Sequence, residues 1–198
     1  MTHKERKIFG TKSHRGSAKQ MAGLAVAALT FSTTVTGCSQ EKREYALPPS
    51  FCGVQEKKDL YAPIFPPGKS LSQGKTTKSI KGAEEYEQCQ YYIDGYAKVT
   101  VSGNWYDKEQ SPQPTLDSLI AEHGTYKPKK VSGAYNAATW PYGAVSLVKC
   151  PNSEYRANLY SLTIYSSTIK DRDESHRALG DLIQSFTAKV LKKLPCGK

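Results

Sequence analysis

Polar and apolar positions alternate most clearly between Glu87 and Val101, and Asp94-Gly95 breaks the alternation with a hairpin signal. Register decides which side chains share a face. A two-residue loop would put Ala97, Val99 and Val101 on the face of Gln88, Gln90 and Tyr92. A three-residue loop, Ile93-Asp94-Gly95, pairs Tyr91 with Ala97 and Cys89 with Val99. That register gathers the apolar groups on one side and is preferred, because one face of a hairpin packs on a core. Two more strands are read at Gly143–Cys150 and Arg156–Ser166, joined by a turn at Pro151-Asn152-Ser153; in the second, Tyr160, Leu162 and Ile164 alternate with Ser161, Thr163 and Tyr165.

Helical spacing is clearest at the C-terminal end. Leu179, Leu182, Ile183, Phe186 and Val190 recur at intervals of three and four after Asp171-Arg172-Asp173-Glu174, which resembles a capping box, and Pro195 stops the helix. Thr115 is expected to cap a shorter helix with Leu116, Leu119 and Ile120 inward and Gly124 at its end. A further short helix is expected over Gln55–Tyr61, stopped by Pro63. Pro66 to Gly82 carries Lys69, Lys75, Lys78 and Lys81 among glycines and serines and reads as a mobile basic loop. Residues 125–142 show no clear period; Lys127, Lys129 and Lys130 around Pro128 point to an exposed segment.

A different pattern occupies the N-terminus. Lys4, Arg6, Lys7, Lys12, Arg15 and Lys19 precede an apolar run from Met21 to about Thr36. As a helix that run spans about 24 Å, short of the ~30 Å hydrocarbon core of a bilayer. A basic segment followed by a short apolar run reads as a signal peptide, and no twin-arginine pair is present, so the general secretion route is expected. The run ends in Val35-Thr36-Gly37-Cys38, which resembles a bacterial lipobox. Residues 1–37 then form the leader, Cys38 takes the lipid, and 38–50, ending in Pro48-Pro49, is a polar tether. Residues 51–198 are left as one extracytoplasmic domain. Two acyl chains hold a protein stably on a membrane where one does so marginally.

The leader changes the charge picture. The whole chain has 28 basic and 18 acidic residues, net +10. Residues 1–37 hold six of the bases and one of the acids, leaving 22 and 17, or +5, beyond them. An exported chain of modest charge points away from nucleic acid and towards anionic lipid head groups, a cell-wall polymer or another envelope protein. With Cys38 assigned to lipid, Cys52, Cys89, Cys150 and Cys196 remain. Four cysteines in an oxidising compartment read as two disulfides with three possible connectivities. The preferred one is Cys52–Cys89 with Cys150–Cys196, since Cys196 follows the helix end and Cys150 ends a strand.

Catalytic chemistry finds little support. Beyond the leader there are two histidines, His123 and His176, and neither belongs to a recognisable motif. There is no Gly-x-Ser-x-Gly, no His-Glu-x-x-His and no phosphate-cradling glycine loop, and Asp107, Glu109 and Asp117 have no fixed geometry. No catalytic residue, metal site or cofactor is expected. Thirteen tyrosines against five phenylalanines favour a surface that is apolar in body and polar at its tips. Trp105, Tyr106, Tyr135, Trp140 and Tyr142, read as lying in or near loops, are the candidate ligand or partner surface.

The leader and lipobox, the Phe51-Cys52-Gly53-Val54 opening, the Cys89-Gln90-Tyr91-Tyr92 strand, Leu147-Val148-Lys149-Cys150-Pro151 and the closing Pro195-Cys196 together resemble small uncharacterised lipoproteins of actinobacteria, Streptomyces above all. Related mycobacterial surface lipoproteins imply a PsbP-like α+β sandwich, an antiparallel sheet with helices packed on it. The expected role is that of a lipid-anchored binding or scaffolding lipoprotein; a cell-envelope enzyme or an assembly factor using a tyrosine-rich surface is the alternative.

Overall fold

The computed structural model describes residues 42–74, 77–81, 84–122, 127–167 and 171–197. By compactness the chain divides into Met1–Cys38 and Ser39–Lys198, and the described residues belong to the second unit. Cys38, His123 and Gly124 lie outside them.

The described fold is α+β. Its strands are β1 (Leu71–Gln73), β2 (Thr77–Lys81), β3 (Glu84–Ile93), β4 (Tyr96–Asp107), β5 (Lys129–Val131), β6 (Asn136–Trp140), β7 (Gly143–Asn152) and β8 (Ala157–Ser166). All pair antiparallel in one sheet of order β1-β3-β4-β8-β7-β6-β5, with β2 continuing β1 along the same edge of β3. Helices α1 (Lys58–Tyr61), α2 (Leu116–Ala121) and α3 (Arg172–Leu191) complete it, α1 running on into a 3-10 turn over Ala62–Ile64. The helix expected over Gln55–Tyr61 is therefore shorter, and Pro63 sits inside its 3-10 extension, where a missing N–H costs nothing.

The β3–β4 hairpin corrects the expected register. Its loop has two residues, Asp94 and Gly95, both with positive φ (51° and 83°), a turn whose twist matches that of the strands. Asp94 is held there by its carboxylate, which accepts from the Lys69 and Ser70 amides at 3.0 and 2.8 Å. A bulge then restores the apolar face: Tyr92 pairs with Ala97, but Tyr91 pairs with Val99 and Cys89 with Val101, leaving Lys98 as the extra residue. Tyr91, Cys89, Val99 and Val101 all end up buried.

The stretch read as a mobile basic loop instead supplies β1 and β2, because β3 is long enough to template both along its free edge. Residues 42–50, read as tether, are docked. The Arg43 guanidinium donates to the Ala62 and Phe65 carbonyls at 2.8 and 2.6 Å, and the Tyr61 hydroxyl donates to the Pro48 carbonyl at 2.5 Å.

Two cores flank the sheet. On one face α1, the 3-10 turn and α3 cover Tyr91, Val99, Ala144, Leu162 and Ile164. Phe51 is its hub, stacked on Tyr61 and Tyr91 at ring separations of 5.5 and 5.9 Å and edge-on to Phe186 at 5.0 Å. On the other face Leu116, Leu119 and Ile120 of α2 pack on Tyr106, Ala138, Trp140, Val145 and Leu147. Both helix starts follow the sequence reading: Thr115 and Ser118 cap α2 reciprocally, and Asp171 accepts from the Asp173 and Glu174 amides. The β7–β8 turn starts two residues later than read, Pro151 and Asn152 still belonging to β7.

The disulfides are Cys52–Cys89 and Cys150–Cys196, with Cα separations of 5.9 and 4.7 Å. Cys52 and Gly53 form a tight positive-φ turn between Phe51 and Val54, which presents the first thiol to β3. The second ties the end of α3 to β7, beside a bond from the Asn152 amide to the Pro195 carbonyl at 2.7 Å.

Candidate functional site

Strands β3, β4 and β8 run side by side, and their register sets rows of side chains beneath α3. Glu87, Gly103 and Leu162 form one row, Cys89, Val101 and Ile164 the next, and Trp105 faces Tyr160. Gly103 leaves a gap in the middle of the first row. The Tyr160 ring leans into it: a Cβ on Gly103 would lie 1.8 Å from the Tyr160 hydroxyl oxygen. A glycine inside a strand here marks the close approach of another side chain.

Between this floor and the C-terminal end of α3 is a cavity of about 320 Å³. Phe186, Val190, Lys193, Leu194 and Pro195 form its roof, and the Cys52–Cys89 disulfide and Val54 close one side. Tyr155 comes from the β7–β8 turn, where its amide donates to Asn152 Oδ1 at 2.9 Å. Trp105 lies between two tyrosines, its ring 4.9 Å from Tyr155 and 4.9 Å from Tyr160, so three aromatic rings make one continuous wall.

The polar groups on the lining are few: the Glu87 carboxylate, the Tyr160 hydroxyl and the Lys193 ammonium. Lys193 donates to the Gly53 carbonyl at 2.8 Å. Burial, and then the negative charge of Glu87, push the Tyr160 hydroxyl well above its ordinary range, so it stays protonated and can donate to or accept from a guest. A concavity in which apolar walls meet convergent polar groups is the usual form of a small-molecule site; this one is polar over about half of its lining, and about 320 Å³ is near the small end of such sites.

The five aromatic residues singled out from the sequence are not one surface. Trp105 and Tyr106 are neighbours on β4 and so face opposite sides of the sheet, both buried at 6 % and 7 % exposure. Trp105 lines the cavity, whereas the Tyr106 hydroxyl bonds Ser161 Oγ at 3.0 Å under the α2 side. Trp140, 2 % exposed, sits in the α2 core with Tyr142 packed beside it. Tyr135 is tied to α3 by two bonds between its backbone and the Gln184 amide, at 3.1 and 2.9 Å. Tyr135 and Tyr142 do lie in the bend and the turn flanking β6, whereas Trp140 is in β6, which is covered on both faces and shows no alternation, and Trp105 and Tyr106 are near the end of β4. Tyr155, Tyr160, Glu87 and Gly103 were missed; the legible signal was Gly103 in the middle of a strand pattern.

Of the titratable groups weighed from the sequence, His176, Asp107 and Glu109 have structural partners. His176 Nδ1 lies 2.8 Å from Thr139 Oγ1, and burial, followed by the nearby Lys129 charge, lowers its pKa. Asp107 and Glu109 lie 3.8 and 2.5 Å from the Arg156 guanidinium. Among the described residues no group of three or more His, Cys, Asp or Glu side chains could hold a metal ion. Compared with known proteins, the chain shows no significant match to a protein family, to a curated protein or to a solved structure.

Proposed function

We propose that this chain is an exported lipoprotein whose domain binds a small, largely apolar ligand in the cavity beneath α3. In this reading residues 1–37 are a signal peptide, Cys38 carries the lipid that holds the protein on the extracytoplasmic face of the cell membrane, and the folded part is a PsbP-like sandwich. The observation that carries ligand binding is the cavity itself, aromatic on one wall and with Glu87, Tyr160 and Lys193 as polar groups on its lining. Exposed large hydrophobic side chains among the described residues are Tyr96 and Tyr165, too few for the broad apolar patch that a scaffolding or assembly role would favour. The anchor rests on the basic leader, the short apolar run and Val35-Thr36-Gly37-Cys38.

One preparation tests both halves. Intact mass of the full chain isolated from the membranes of its host should correspond to residues 38–198 plus a lipid, and C38A should remain unlipidated. A polypeptide beginning at Met1 without fatty mass overturns the anchor. Native mass spectrometry of the same protein should show a small guest, lost when V190W fills the cavity from α3. A guest that V190W leaves in place, or no guest and no stabilisation by any member of a small-molecule panel, overturns the ligand reading.

A further inference from the structure

The cavity's lining has one carboxylate, Glu87, and one ammonium, Lys193, and the two are placed differently. Glu87 lies on its lining, opposite Gly103 in the backbone register, and is exposed enough to meet a guest from solvent. It makes no ion pair with a residue whose side chain is described, whereas Lys129, Arg156 and Lys189 all make one. Lys78 stands opposite Glu87 in the backbone register of β2 and β3, and the Lys193 ammonium donates to the Gly53 carbonyl. The Tyr160 hydroxyl adds a second acceptor oxygen on the same lining, its pKa raised first by burial and then by the Glu87 charge. Beside these acceptors stands the aromatic wall of Trp105, Tyr155 and Tyr160, whose negative ring faces favour a neighbouring cation.

Building on the reading of this cavity as a ligand site, we propose that its guest is a small organic ammonium with an apolar, ring-like body. The body packs on the Trp105–Tyr155–Tyr160 wall and under Phe186 and Val190; the ammonium meets Glu87 and the Tyr160 hydroxyl. An anionic guest of the same shape would bring its charge against Glu87 with only a partly committed Lys193 to offset it. A neutral one would leave the carboxylate solvated and gain nothing from it.

Three probes sharing one phenylpropyl body separate these cases: 3-phenylpropylammonium, 3-phenylpropanol and 3-phenylpropanoate, titrated calorimetrically into the full chain with both disulfides intact. The ammonium should bind about fivefold tighter than the alcohol, the upper range of what a solvent-exposed ion pair contributes, and the carboxylate weakest. E87Q, at an exposed position that the fold does not depend on, should bring the ammonium to the level of the alcohol while leaving the alcohol unchanged. The difference should also shrink with added salt. Alcohol or carboxylate binding as tightly as the ammonium, or an E87Q variant that keeps the ammonium preference, overturns the proposal. If those probes still bind and V190W abolishes that binding, the cavity remains a ligand site with a different guest chemistry. If none of the three binds, the ammonium proposal fails, and the native-mass test decides the cavity separately.

Discussion

At the scale of single residues, the cavity depends on what one glycine lacks. Gly103 is the only inward position of its row without a side chain, and the Tyr160 ring occupies the space. Adding a methyl group would bring a carbon to 1.8 Å from the tyrosine oxygen and 2.6 Å from the ring carbon that bears it. The ring would have to leave its place, against Trp105 on one side. Overpacking of this kind costs about 1–3 kcal/mol. G103A should therefore lower the urea midpoint by that amount without changing the slope of the transition. Y160F removes the nearest atom, so G103A should cost less in that background than alone, a coupling that a double-mutant cycle measures. Equal stability of G103A and the parent would mean that the ring does not lie over the glycine. The sequence could flag Gly103 as unusual within a strand, but its partner is set by the pairing of β4 with β8, which no local pattern contains.

At the scale of elements, legibility followed side-chain periodicity. Helix α3 was readable because it shows one face to a core, β8 from its alternation, and β7, buried on both faces, as an apolar run ended by a turn; the polarity of the β3–β4 hairpin was readable too, though not its bulge. Elements β1, β2 and β5 were not, since short edge segments join a sheet through backbone bonds that any sequence can make. Docking between elements was also hidden. Glu56, just ahead of α1, has a fully buried side chain whose carboxylate accepts from Lys189 Nζ of α3 at 2.5 Å, from Ser185 Oγ at 3.0 Å and from the Lys57 amide at 2.8 Å. The partners are not equivalent, because Lys189 keeps 33 % of its side chain exposed. Removing Lys189 strands a buried charge, whereas removing Glu56 lets the lysine swing into water. K189M should thus cost roughly 3 kcal/mol and E56Q about 1–2 kcal/mol. Chemical denaturation of both variants decides the point; equal costs, or a larger one for E56Q, would show that the carboxylate is better solvated than its burial implies.

At the scale of the whole molecule, the sheet acts as a partition between two cores, and each contains one of the two tryptophans. Trp105 lines the cavity on the α3 side, while Trp140 is enclosed with Leu116, Leu119 and Ile120 on the α2 side. A guest beneath α3 touches the first indole and is separated from the second by the sheet. Because emission reports each ring's immediate surroundings, binding of the phenylpropylammonium probe should alter the fluorescence of the parent protein and of W140F by the same absolute amount. W105F should still bind, more weakly for the loss of one wall, yet show almost no change in emission, with calorimetry supplying the independent measure of occupancy. A signal that survives in W105F and disappears in W140F would place the guest on the α2 face. It would also move the site from the disulfide-braced cavity to the core built around Tyr106, the part of the sheet that the aromatic residues alone had first brought forward.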